Sequence, residues 1–144
     1  MTDLSLETAQ TIVAAALASA REKKMKPLAV VVYDSRGALK ALACEDGTSL
    51  KRAEIAMGKA YGALALGVGS RALHKMANDR PYFVAAATHA VGGMLVPVPG
   101  GILIKDGQGA VLGAVGISGD TSDNDEIAGA AGIEAVGLVF DAGA

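Results

Sequence analysis

Leu6, Ala9, Ile12, Val13, Ala16, Leu17 and Ala20 recur at three- and four-residue spacing, the repeat that lines one face of an α-helix. Ser5 stands where an N-cap belongs, and the cations of Arg21-Glu22-Lys23-Lys24 suit the negative end of the helix dipole. After Pro27 the spacing changes. Leu28 to Tyr33 is a valine-rich run, Asp34-Ser35-Arg36-Gly37 has turn chemistry, and Ala38 to Glu45 completes a predicted β-hairpin. Helical spacing returns from Leu50 to Leu66, through Ala53, Ala56, Met57, Ala60, Ala63 and Leu64, and breaks at Gly67-Val68-Gly69. Ser70 to Met76 predicts a short helix, and Pro81 suits the first position of another that runs towards His89.

Gly92-Gly93 closes that segment. Met94 to Val98 and Ile102 to Asp106 are both short and β-like, with Pro99-Gly100-Gly101 between them. Gly107-Gln108-Gly109 then turns the chain into a strand over Ala110 to Ser118, whose internal Gly113 and Gly116 predict a bulge or the close approach of another backbone or a ligand. Ser122 is the expected cap of a last helix, with Asp123, Asp125 and Glu126 in its first turn. The order of helix, hairpin, helices, three strands and helix departs from βαβ alternation, so it predicts an α+β fold with a mostly antiparallel sheet. No repeat, linker or low-complexity tract divides the 144 residues, which predicts a single domain over 1–144.

Composition changes the picture of the core. Glycine (19) and alanine (29) make up a third of the chain while aromatics are 3%, so close backbone packing must replace bulky side chains. Net charge is −2, and no basic stripe or aromatic interleaving offers a nucleic-acid surface. The charge is uneven. Residues 1–105 carry all 13 bases against 8 acids, and residues 106–144 carry 7 acids and no base, so the two parts should attract within a subunit or between subunits. Cys44 stands alone, which excludes an internal disulfide and a thiolate metal site and makes a reducing cytoplasm the expected compartment. Asp3 and Glu7 occupy the region where a signal peptide is basic, and no apolar stretch approaches the ~18 residues of a membrane span.

Several motifs fall short of the chemistry they suggest. Gly67-Val68-Gly69-Ser70-Arg71-Ala72 has loose dinucleotide spacing but follows a predicted helix, where the motif requires a strand. Gly116-Ile117-Ser118-Gly119-Asp120 matches a nucleophile elbow until its last place. The acids around Asp123 lack the glycine of a calcium loop and are accounted for by helix capping. His89 ends an alanine-rich run before Gly92-Gly93, a place for an imidazole to face a pocket of small residues or to bond a nearby carbonyl. His74 sits among Arg71 and Lys75, as a solvated surface histidine does. Lys59, in an otherwise apolar helix, is either a snorkelling surface lysine or a cation facing an anionic ligand. Gly100-Gly101 either presents backbone N–H groups to a carboxylate or turns the chain.

Taken in order, the opening helix, Val30-Val31-Val32-Tyr33-Asp34 with Gly37, Lys59-Ala60, Pro99-Gly100-Gly101, and Gly113-Ala114-Val115-Gly116-Ile117-Ser118-Gly119 leading to Asp125 and Gly132 resemble the GlcG/HbpS family, which includes the C-terminal domain of PduO-type proteins. The resemblance implies a profilin-like fold of five antiparallel strands with helices on both faces, assembled as a homo-oligomer (dimer, tetramer or octamer). It also implies a small-ligand-binding protein whose cofactor is haem, with an axial ligand from a pocket side chain: His89 first, His74 second and Cys44 third. The competing expectation is an enzyme of small organic acid or aromatic catabolism, of tautomerase or imine hydrolase type. There Lys59, Gly100 and Gly101 would hold a carboxylate, and His89, Asp125 or Glu126 would move a proton. A third is an accessory oligomer with no chemistry of its own.

Overall fold

Every residue of the strand Ala29–Asp34 is buried, which an antiparallel strand achieves only when both faces of its sheet are covered. The computed structural model describes residues 3–144 and shows how the cover is supplied. The elements are α1 (Leu6–Glu22), β1 (Ala29–Asp34), β2 (Leu39–Cys44), α2 (Arg52–Leu66), α3 (Ser70–Asp79), α4 (Pro81–Ala90), β3 (Gly101–Lys105), β4 (Val111–Ser118), α5 (Ser122–Ala135) and β5 (Val139–Asp141). The five strands form one antiparallel sheet in the order β2-β1-β4-β3-β5. Alternation along the strands sends Val30, Val32, Ile102, Ile104, Val115 and Ile117 to a core with Ile12, Ala16 and Ile133 of α1 and α5. It sends Val31, Tyr33, Leu103 and Ala114 to the other face, against Ala56, Ala60 and Ala63 of α2. Leu73, Val84, Ala87 and Leu95 make a small third cluster under α3 and α4.

The local signals act largely as their chemistry requires. Ser5 accepts from the Thr8 amide at the start of α1, and Pro81 occupies the first turn of α4. Asp34 closes the hairpin by accepting from the amides of Arg36 (2.9 Å) and Ala38 (3.0 Å), with Gly37 at φ +80° completing the turn. At α5 the capping hydroxyl is that of Thr121, which accepts from Asn124, and the expected cap Ser122 is the first helical residue. Two β expectations are corrected. Met94–Val98 is a loop rather than a strand, because Val96 spends its amide on the Gly58 carbonyl of α2 (3.1 Å) and Leu95 packs on Gly62. The fifth strand is instead β5, which pairs with β3 through Leu103, Ile104 and Lys105.

The small residues set how closely the layers approach. A Cβ on Gly116 would lie 2.0 Å from the Ala56 carbonyl oxygen of α2, and one on Gly132 would lie 2.7 Å from the Ile12 carbonyl oxygen of α1. These are backbone contacts that no rotamer change relieves. Gly116→Ala is therefore expected to cost about 3 kcal/mol or more, at or beyond the usual range for overpacking. Gly107→Ala, where an added methyl meets open space, should stay within about 0.5 kcal/mol of the parent. Denaturant titration of the two variants side by side checks the contrast.

Candidate functional site

Lys59 lies on the sheet-facing stripe of α2, between Ala56 and Ala63, and is 2% exposed. Its Nζ donates to the Ile117 carbonyl at 2.8 Å and to Asp125 Oδ2 at 3.0 Å, and Asp125, from the first turn of α5, is itself 1% exposed. The other carboxylate oxygen, Oδ1, accepts from the Asp120 amide at 3.0 Å. Room for the lysine comes from Gly100, at φ +120°, where a Cβ would sit 2.9 Å from Nζ. Gly101 lies against the Lys59 backbone, and its amide donates to Ser70 Oγ at 2.7 Å. Burial pulls the Lys59 ammonium below the usual lysine range and pushes the Asp125 carboxyl above the usual carboxylate range, while each opposes the other's shift by its charge.

The structure thus brings together Lys59, Gly100, Gly101 and Asp125 of the candidate residues. The anion that meets Lys59 is the protein's own Asp125, and the Gly101 N–H has its partner in Ser70. Glu126 is apart from this cluster: Arg71 Nε donates to it at 2.9 Å, and Arg71 also meets Asp123. His74 is exposed on α3 and His89 is exposed in the last turn of α4. Cys44, exposed at the end of β2, lines a cleft of about 460 Å³ with Arg21, Pro27, Glu45 and Asp46. Among the described residues no three His, Cys, Asp or Glu side chains are grouped to hold a metal, and no helix is long and apolar enough to cross a membrane.

The charge asymmetry reappears as contacts. Lys59–Asp125, Arg71–Glu126 and Lys105–Asp141 all join a base of the first 105 residues to an acid of the last 39. Arg52 and Ser118 escaped the sequence reading, although the elbow-like segment contained the serine. Ser118 is buried, and its Oγ faces Arg52 Nη1 at 3.1 Å. Asp120 accepts from the amides of Lys26 (2.7 Å) and Thr121 (2.7 Å) and from the Asn124 side chain (2.8 Å), which hold its pKa down to about 2.

On α4, Val84 and Ala87 face inward, while Tyr82, Ala85, Ala86 and His89 form an exposed outer stripe at helical spacing. Its side chains are one ring, two methyl groups and one imidazole, with Tyr82 73% exposed. The Arg80 guanidinium lies 4.7 Å from the Phe83 ring centroid at the start of the same helix.

An α+β sheet covered by helices on both faces, closed by a buried lysine–aspartate pair, defines the structural class. The family described as haem degrading protein HbpS-like matches residues 4–134, and the chain belongs to that family. Among solved structures, it is similar in fold to PduOC in its haem complex, with 22% identity, TM-score 0.84, and coverage of 96% of this chain and 98% of that one. It is also similar to HbpS, with 25% identity, TM-score 0.81 and coverage of 94% and 92%. The Klebsiella pneumoniae protein ORFY aligns at 23% identity and TM-score 0.80, over 93% and 91% of the two chains. A comparison with curated protein sequences returns no significant match.

Lys59→Met keeps most of the side-chain volume and strands the Asp125 carboxylate, so it should cost about 3–5 kcal/mol at neutral pH by denaturant titration. In that variant the folded pKa of Asp125 lies above its unfolded value. Stability should therefore rise as the pH falls through the folded pKa, and Lys59→Met/Asp125→Leu should recover most of the loss. Asp120 behaves oppositely. Its folded pKa of about 2 against 3.8 provides stability that is present above pH 3.8 and lost as the pH falls towards 2, a slope that Asp120→Asn should flatten in acid unfolding curves.

Proposed function

We propose that the chain is a haem-binding member of its family, with His89 as the axial ligand. The observation that carries the reading is the fold likeness to PduOC in its haem complex, which extends over 96% of this chain. The outer face of α4 fits such a ligand: Ala85 and Ala86 present a low surface that a flat macrocycle can approach, Tyr82 adds an aromatic ring, and the His89 imidazole is exposed. Bound haem would supply iron-centred redox and oxygen chemistry, and the His89 imidazole would hold it, with Tyr82, Ala85 and Ala86 beside it. His74, on the neighbouring helix α3, is the second candidate.

The same reading takes the chain as a single domain over 1–144 that works in the cytoplasm as a homo-oligomer. Leu39 and Leu42, exposed on the edge strand β2, support the oligomer as a surface that a second copy would cover.

Absorption titration with haemin tests the ligand assignment. A saturable Soret shift at one haem per chain is expected, lost in His89→Ala and retained in His74→Ala, with denaturant stability within about 0.5 kcal/mol of the parent because both positions are exposed. A shift that survives both substitutions would overturn the assignment.

A further inference from the structure

We propose that the cleft between the α1–β1 connection and the start of α2 binds a small oxyanion, a carboxylate or a phosphate. This cleft, of about 230 Å³, is lined by Lys26, Gly47, Thr48, Ser49, Arg52 and Gly119, together with Pro27. Its lining residues thus include two bases, a threonine and a serine, and no acid.

Neither Arg52 nor Lys26 forms an ion pair among the described residues; Lys23, Lys24, Lys40 and Arg80 also have none, but they do not line this cleft. Arg52 is half-buried and its one side-chain partner is the neutral Ser118 hydroxyl. The buried Lys59 ammonium lies close enough to feel the Arg52 charge, but its own charge is balanced by Asp125. Asp120, which follows the lining residue Gly119, is taken up by the Lys26 and Thr121 amides and the Asn124 side chain, and it feels the Lys26 charge through space.

Lys51 and Arg52 stand together at the start of α2; Lys51 pairs with Glu54 of the first turn, whereas Arg52 meets no carboxylate among the described residues. An anion in the cleft would take donors from the Arg52 guanidinium, the Lys26 ammonium and the two hydroxyls. A cleft of about 230 Å³ has room for phosphate or a short carboxylate. The proposal is independent of the haem reading.

The test is an amide ¹H–¹⁵N NMR titration of the whole chain with inorganic phosphate and, separately, malonate, each at constant ionic strength against chloride. Saturable shifts are expected at Gly47, Thr48, Ser49, Ala53 and Gly119, and the anion that saturates at lower concentration identifies the preferred chemistry. Arg52→Gln and Lys26→Gln should each weaken binding about tenfold, as loss of a charge-assisted bond does, while Lys40→Gln, on β2, leaves it unchanged. Because Lys26 is exposed, its variant decides the matter if Arg52→Gln disturbs the fold. Shifts that do not exceed the chloride control, or that persist in the Lys26 variant, would overturn the proposal.

Discussion

Lys59 and Asp125 form an ion pair from which water is almost wholly excluded, and such a pair tolerates the loss of neither member. The two residues come from opposite sides of the sheet. Helix α2 covers one face and α5 the other, so the contact ties the two outer layers together beside Gly100, where β3 begins and β4 ends. The lysine also takes the Ile117 carbonyl, and the aspartate takes the Asp120 amide. One interaction thereby positions the end of β4, the loop after it and the first turn of α5. The glycines at 100 and 101 belong to this arrangement as space for the lysine and its backbone.

That fixed corner governs the surface above it. Ser118 directly follows the carbonyl that Lys59 holds, and its hydroxyl receives Arg52; Gly119 then forms one wall of the small cationic cleft. The buried positive charge and the exposed ones are parts of one electrostatic arrangement, in which the interior cation is balanced and the outer ones are left for solvent or a ligand. The face proposed for haem, on the outer side of α4, shares no residue with the cleft.

Much of the fold was legible because local chemistry and tertiary packing agree. The α1 stripe with its Ser5 cap, the Asp34 turn and Pro81 at the start of α4 all act over a few residues, within the reach of sequence periodicity. Met94–Val98 misled because its apolar residues pack on the glycines of α2 rather than joining the sheet, a choice made by a partner more than 30 positions away. β5 was missed because three residues with Val139 and Phe140 exposed carry no alternation; pairing with β3 and the Lys105–Asp141 contact define it. At the site, Lys59 stood out as a charge in an apolar helix, and the excess of acids after residue 105 foreshadowed its partner. Which acid it was depended on a contact across 66 positions, which spacing does not encode. Arg52 carried no signal, since a cation at the start of a helix is ordinary in sequence and its contact with Ser118 spans 66 positions.

The glycine and alanine paving of α2 has an evolutionary consequence. Cores built from large side chains lose stability mostly when those are trimmed, and neighbouring residues can drift to refill the gap. Along Ala56, Ala60 and Ala63 there is little to trim, and the opposing surface at Gly116 is backbone. Compensating pairs of substitutions are scarce where one partner is a carbonyl oxygen, so this interface can change its sequence only by moving the helix. Divergence in such a chain should gather on the outer faces and in the connections, leaving the spacing between layers as its most slowly changing property.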